Sequence, residues 1–287
     1  QPDAHILLPG DAYYGTIKLA RDIFGRWGLK FSCVDMSDVR DVKRAMTKET
    51  RLIWIESPSN PLVRVVDIAA LTAVARDAGA WTVVDNTWAT PILQRPLALG
   101  ADIVMHSTTK YLGGHSDILG GALIAEREDH PLFAQARAVQ QAGGAVPSPF
   151  ECWLAMRGIR TLPWRVRAMT ENARRVAEFL SAHRRVAAVH YPGLASHAGH
   201  DVARRQMSGP GAMLSLQVRG GRQAAIGMTN RLKLFTRATS LGGTESLIEH
   251  RHSVEGPDTK SPEDLLRMSV GLEHHEDLIE DLDQALG

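Results

Sequence analysis

The sequence predicts an α/β fold: a mainly parallel sheet flanked by helices, followed by a smaller α+β C-terminal domain. Three observations carry this. The first half alternates short apolar runs with amphipathic stretches, and strands alternating with helices of about a dozen residues argue for a parallel sheet covered on both faces. Beyond Phe150 the texture changes to long helical stretches, then short strands mixed with helices. Finally, 287 residues are long for one compact core, which suggests a large domain plus a smaller one.

The elements follow in order. His5-Ile6-Leu7-Leu8 reads as a strand stopped by Pro9-Gly10. Thr16 to Trp27 carries Ile17, Ala20, Ile23, Phe24 and Trp27 at helical spacing. Phe31 to Val34 is strand-like, and Asp38 to Met46 is helical, with Ser37 or Asp38 as N-cap. Leu52 to Ile55 is a buried strand ended by the loop Glu56-Ser57-Pro58-Ser59-Asn60-Pro61. Asp67 to Ala78 is a helix stopped by Gly79. Strands are expected at Trp81 to Val84, Ile103 to Met105 and Ala122 to Ala125. Helices follow at Phe150 to Gly158 and Trp164 to Ala182. Met213 to Val218, Leu232 to Phe235 and Leu266 to Val270 read as strands, and Asp277 to Ala285 as a closing helix. The domain boundary is expected near Pro163, giving residues 1–162 and 163–287.

Composition excludes several classes. A formal net charge of +1 gives no electrostatic case for nucleic acid or an anionic membrane surface. No apolar run reaches the ~20 residues of a membrane span, and no signal segment opens the chain. Two cysteines, Cys33 and Cys152, cannot make a disulfide framework, so a reducing, cytoplasmic setting is expected. Cys152 is expected in the core. The arginines of the long helix, Arg165, Arg167, Arg174 and Arg175 among them, read as a solvated or subunit-facing surface. Glu273-His274-His275-Glu276 is not expected to bind metal, because adjacent residues at a helix start point apart.

In open parallel sheets, ligands bind beyond the carboxyl ends of the strands, and the polar residues of this chain gather there. One strand delivers Asp85-Asn86-Thr87, and the next His106-Ser107-Thr108-Thr109-Lys110. A third delivers Glu56 and Asn60, and the loop after Leu8 delivers Asp11, Tyr13 and Tyr14. An aldehyde cofactor of the pyridoxal phosphate type calls for this set. Its carbonyl carbon needs a primary amine, as Lys110 supplies, made nucleophilic by partial desolvation. Its ring nitrogen needs a carboxylate partner such as Asp85. Its phosphate needs hydroxyl and N–H donors, available at Ser107 and Thr109, and Tyr13 offers a ring for stacking. Each residue alone is more often loop decoration, an N-cap or rim packing; their convergence on one sheet edge favours a cofactor site.

These residues also lie within longer motifs: DAYYGT (Asp11–Thr16), ESPSNP (Glu56–Pro61), VVDNTWATP (Val83–Pro91), HSTTKYLGGHSDILGG (His106–Gly121), RGIRTLPWR (Arg157–Arg165), ATSLGGTESL (Ala238–Leu247) and LLRMSVGLE (Leu265–Glu273). Through them essentially the whole chain resembles the Cys/Met-metabolism family of fold-type-I pyridoxal phosphate enzymes, the cystathionine synthases and lyases and methionine γ-lyase. The resemblance implies an enzyme that makes or breaks a C–S bond in a sulfur amino acid, with an amino-acid substrate and a homotetramer of catalytic dimers. It implies that Lys110 bonds to the cofactor and shuttles protons, and that Asp85 pairs with the ring nitrogen. Ser107 and Thr109 would hold the phosphate, Asn60 the ring hydroxyl oxygen, and Tyr13 would stack and assist the leaving group. Arg267 would bind the substrate α-carboxylate as a bidentate fork, helped by Ser240.

There are departures. Tyr14 replaces the first Gly of the family's Y-G-G-T. Thr239 stands where much of the cystathionine-specific branch has Glu, near the substrate's distal end, which leaves synthase against lyase open. Leu241-Gly-Gly favours γ-type chemistry over the S-W-G-G of some β-lyases. The chain opens on QPDAHILLPG, so the N-terminal part of the large domain, with a phosphate-binding helix and a Tyr-x-Arg element, is expected to be absent. That supports the competing reading, a non-catalytic or truncated homologue acting as a scaffold.

Overall fold

A computed structural model describes residues 3–256 and 259–287. Strands β1 (His5–Pro9), β2 (Lys30–Val34), β3 (Thr50–Glu56), β4 (Trp81–Asp85), β5 (Ile103–Ser107) and β6 (Gly121–Ala125) form one sheet in the order β2-β1-β3-β4-β5-β6. The first five strands pair in parallel and β6 closes the edge antiparallel to β5. Leu7, Ile53, Ile55, Val84, Ile68 and Leu71 are buried between this sheet and its helices. With crossovers returning each strand in the same sense, the carboxyl ends of β1, β3, β4 and β5 open on one edge.

A second sheet runs β7-β8-β11-β10-β9, built from β7 (Val186–His190), β8 (Met213–Val218), β9 (Thr236–Arg237), β10 (Leu247–His250) and β11 (Leu265–Ser269). Between the sheets lies one helix, Pro149–Ala182. Two helices were expected here, yet the helix continues through Pro163. The ring costs one backbone hydrogen bond, and the stripe Leu162, Val166, Met169, Ala173, Val176, Ala177 and Leu180 is buried against the second sheet, which holds the helix together across it.

Other expectations need correction. Leu232–Phe235 is not a strand: the Asp281 carboxylate, buried on the closing helix His275–Leu286, accepts from the backbone N–H of Lys233, Leu234 and Phe235 at 2.8, 2.8 and 3.1 Å, so these donors have no strand partner. The segment after Tyr13 starts as a helix at Tyr14–Lys18, widens over Leu19–Ile23 and tightens over Phe24–Trp27. Of its apolar positions only Ala20 is buried, while Ile23, Phe24 and Trp27 are exposed. The helix Pro131–Gly143 is one that the sequence pattern does not announce. Cys152 is exposed rather than in the core. Arg165 is not on a solvated face either: it is buried, whereas Arg174 and Arg175 pair with Glu171 on the exposed surface.

Candidate active site

The site starts from the strand ends. Glu56 closes β3 and Asp85 closes β4, and the two are register partners, so both carboxylates project to the same face. Glu56 is buried and accepts from the backbone N–H of Tyr13 at 2.8 Å and of Asn60 at 3.0 Å. One carboxylate therefore fixes the loop after β1 against the loop after β3. Half-buried Asp85 accepts from the Thr87 N–H at 3.0 Å. Thr87 in turn accepts, through Oγ1, from the Ser107 N–H at 2.9 Å, which ties the ends of β4 and β5 together. Burial raises the pKa of Asp85, and burial plus the charge of Asp85 raises Glu56 well above the usual carboxylate range. A cation against Asp85 would relieve this, as the protonated nitrogen of a pyridine ring does.

Lys110 follows β5 in the turn Thr108–Leu112, with a backbone that departs from helical geometry at Lys110 itself. The turn is pinned on two sides. Thr109 Oγ1 accepts from the Gly120 N–H at 2.9 Å and donates to its carbonyl at 3.3 Å. Arg165 Nη1 donates to the Tyr111 carbonyl at 2.9 Å, and its Nη2 to the Gly158 carbonyl at 2.8 Å. Lys110 Nζ donates to Ser240 Oγ at 3.0 Å. Desolvation, and next the Arg267 charge, lower the Lys110 pKa, while Glu249 opposes the shift. The result is an amine that reaches its nucleophilic form more easily than a surface lysine.

Arg267 lies on β11 and crosses to the first sheet's loops. Its Nη1 donates to Asn60 Oδ1 at 3.1 Å and its Nη2 to the Ser240 carbonyl at 2.8 Å. Ser240 has φ 92°, a left-handed backbone that costs a non-glycine residue about 1–3 kcal/mol and persists where surroundings enforce it. Here the serine faces Lys110 with its hydroxyl and Arg267 with its carbonyl. Thr239 is exposed beside it. The Tyr13 ring meets Tyr14 edge-on at 5.0 Å, and Tyr13 is 42% exposed. A cavity of about 470 Å³ lined by Asp11, Tyr14, Lys18, Asn60, Glu255 and Ser261 opens at this rim. A larger one, about 810 Å³, lined by Arg64, Asp67, His190 and His197, contains none of the expected site residues.

Tyr13, Asn60, Asp85, Ser107, Thr109 and Lys110 end or follow strands of the first sheet, and Ser240 and Arg267 reach Lys110 and Asn60 from the second, with Thr239 next to Ser240 in sequence. The donor set fits pyridoxal phosphate: an amine of lowered pKa, a carboxylate short of a cation, hydroxyls beside them and an arginine fork. A family model described as Cys/Met metabolism PLP-dependent enzyme matches residues 1–287. The chain belongs to this family. It is 48% identical over 292 residues to the cystathionine gamma-synthase of Mycobacterium bovis, covering 100% of this chain and 75% of that protein. It is 43% identical over 290 residues to a cystathionine beta-lyase of Lactococcus lactis, covering 98% and 76%. The crystal structure of metB from Corynebacterium glutamicum superposes with a TM-score of 0.96 at 43% identity, over 100% of this chain and 75% of that one. As a member, the chain is a fold-type-I enzyme of Cys/Met metabolism that uses pyridoxal phosphate. Nothing in these likenesses supports the scaffold reading. Among the described residues, no helix is long and apolar enough to cross a membrane.

Sequence reasoning passed over three contributors. Glu56 is legible at a strand end without its role as a double acceptor. Thr87 is legible there too, without its link to Ser107. Glu249, which acts on Lys110, lies on a strand, Leu247–His250, that the sequence does not announce.

Proposed function

We propose that this enzyme makes or breaks the C–S bond of a sulfur amino acid by γ-type chemistry, with cystathionine as product or substrate. The carrying observation is Ser240, which touches both Lys110 Nζ and Arg267 Nη2. The reacting amine and the fork for a carboxylate therefore meet at one residue, the amine on its hydroxyl and the fork on its carbonyl. Leu241 after Ser240 and the higher identity to gamma-synthases favour the γ-carbon.

Pyridoxal phosphate held at Lys110 would supply an electron sink for charge developing next to the substrate's α-carbon. Asp85 would keep its ring nitrogen protonated, Ser107 and Thr109 would hold its phosphate, and Asn60 its ring hydroxyl oxygen. Tyr13 would stack on the ring and protonate the leaving group. Arg267 and Ser240 orient the α-carboxylate so that the α-proton faces Lys110 Nζ. Lys110 would accept that proton at Nζ and return it at the neighbouring carbons, a role its lowered pKa suits. Thr239 lies at the substrate's distal end and tunes its choice. We further propose residues 1–162 and 163–287 as the two domains, a cytoplasmic homotetramer of catalytic dimers as the assembly, and small amino acids rather than nucleic acid as the partners. Incubating the purified protein with cystathionine, with methionine, and with an O-acyl-homoserine plus cysteine tests the reading. Cystathionine formed from the O-acyl-homoserine plus cysteine, or 2-oxobutanoate formed from cystathionine, supports it. Pyruvate as the 2-oxo acid from cystathionine, turnover of methionine alone, or no product from all three overturns it.

A further inference from the structure

Beyond Arg267 the chain continues as a buried ladder of charges. Glu249 is the cross-strand partner of Arg267, on β10 against β11. Its Oε1 pairs with Arg267 Nη2 and, at 3.0 Å, with Arg251 Nη1. Arg251 then pairs through Nη2 with Glu255 at 2.6 Å. Glu255 Oε2 accepts in turn from Thr259 at 2.5 Å and from Ser261 at 2.7 Å. Arg267, Glu249 and Arg251 are 4%, 3% and 2% exposed, so water does not screen them.

Two atoms of this ladder are unmatched: Glu249 Oε2 and Arg267 Nε are buried without a hydrogen-bond partner. A buried Arg267–Glu249 pair alone would be neutral and would hold no net attraction for a substrate carboxylate. Arg251 changes this. A second guanidinium on the same oxygen divides Glu249 between two cations, while Glu255 pairs with Arg251 Nε and Nη2 rather than with Arg267. The other acceptors of Arg267, Asn60 Oδ1 and the Ser240 carbonyl, are neutral, so a substrate carboxylate that replaces them brings the guanidinium a charge they do not.

We propose that Arg251 is a positioning residue for the carboxylate site: by sharing Glu249, it keeps that glutamate from neutralising Arg267. The proposal rests on the reading that Arg267 receives the α-carboxylate.

The test is an equilibrium titration of the pyridoxal phosphate-loaded enzyme with L-norleucine, followed by cofactor absorbance, alongside pentylamine, which is the same chain without the carboxylate. Arg251→Met is expected to weaken norleucine roughly tenfold or more and to change pentylamine less than about twofold. With substrate, KM rises while kcat changes little. Adding Glu249→Gln to Arg251→Met removes the neutralising charge and restores norleucine to within about threefold of wild type, a non-additivity that a merely structural loss would not give. Arg251→Lys, which keeps the cation, retains binding and keeps the test available if Arg251→Met does not fold. Unchanged norleucine binding in Arg251→Met, or a double variant as weak as the single, overturns the proposal. Arg267→Met separates the two layers. If it abolishes norleucine binding while Arg251→Met does nothing, only the positioning role falls. If norleucine still binds Arg267→Met, the reading of Arg267 falls and the proposal with it.

Discussion

Arg165 reaches from the inter-sheet helix and donates to the carbonyl of Tyr111 at 2.9 Å, one residue after Lys110. It is 5% exposed, so this bond holds the lysine turn from behind in a site water does not reach. Arg165→Met removes the donor and leaves a buried carbonyl unsatisfied, a cost of about 1–3 kcal/mol. The expected result is a lower denaturant midpoint and reduced retention of cofactor on dialysis. A variant as stable and as well loaded as wild type would show that the turn does not need this support.

Glu56 carries a pH signature. Its folded pKa is raised, by burial first and by Asp85 second. A carboxyl raised on folding contributes stability that is fully present below its unfolded value and is lost as pH rises through the folded one. In the cofactor-free protein, thermal stability should therefore fall as pH climbs from the ordinary carboxyl range toward neutrality. Glu56→Gln should flatten that slope, at the cost of one of the two acceptors that hold Tyr13 and Asn60. Melting curves across pH for both proteins check this, and parallel slopes would contradict it.

Lys110 responds to two neighbours of opposite sign, since Arg267 lowers its pKa and Glu249 raises it. The rate of covalent cofactor uptake should rise with pH about a midpoint below the ordinary lysine value. Arg267→Met should move that midpoint up and Glu249→Gln should move it down. Stopped-flow absorbance with pyridoxal phosphate over a pH series reads both shifts.

Thr239 sits exposed next to Ser240. Thr239→Glu introduces a carboxylate at the distal end of the substrate, and the ratio of kcat/KM between cystathionine and methionine should shift several-fold or more toward the substrate carrying a distal ammonium group, with about 1–3 kcal/mol available from such a contact. An unchanged ratio would remove Thr239 from the specificity-determining positions.

The legible part of the fold and site follows from local signals. Parallel strands announce themselves as short apolar runs, and the residues that end them fall at one edge, which is why the positions of Asp85, Ser107 and Lys110 are readable from residue type and order. Arg267 and Ser240 enter only through motif resemblance, because nothing local distinguishes an arginine on a strand as a candidate carboxylate fork. What stayed hidden depends on partners distant in sequence. Asp281 takes the N–H groups that would have made Leu232–Phe235 a strand. Arg165 looks like its solvated neighbours until its helix face is known. Glu249 and Arg251 acquire meaning only when β10 and β11 pair.

The most direct measurement of the central claim is to load the protein with pyridoxal phosphate, reduce with borohydride, digest, and map the modified peptide by mass spectrometry. The pyridoxyl group should be found on Lys110, in the peptide containing HSTTKYLGG, and should vanish in Lys110→Ala. A modification on another lysine, or one that persists at equal yield in Lys110→Ala, would contradict the assignment of the site.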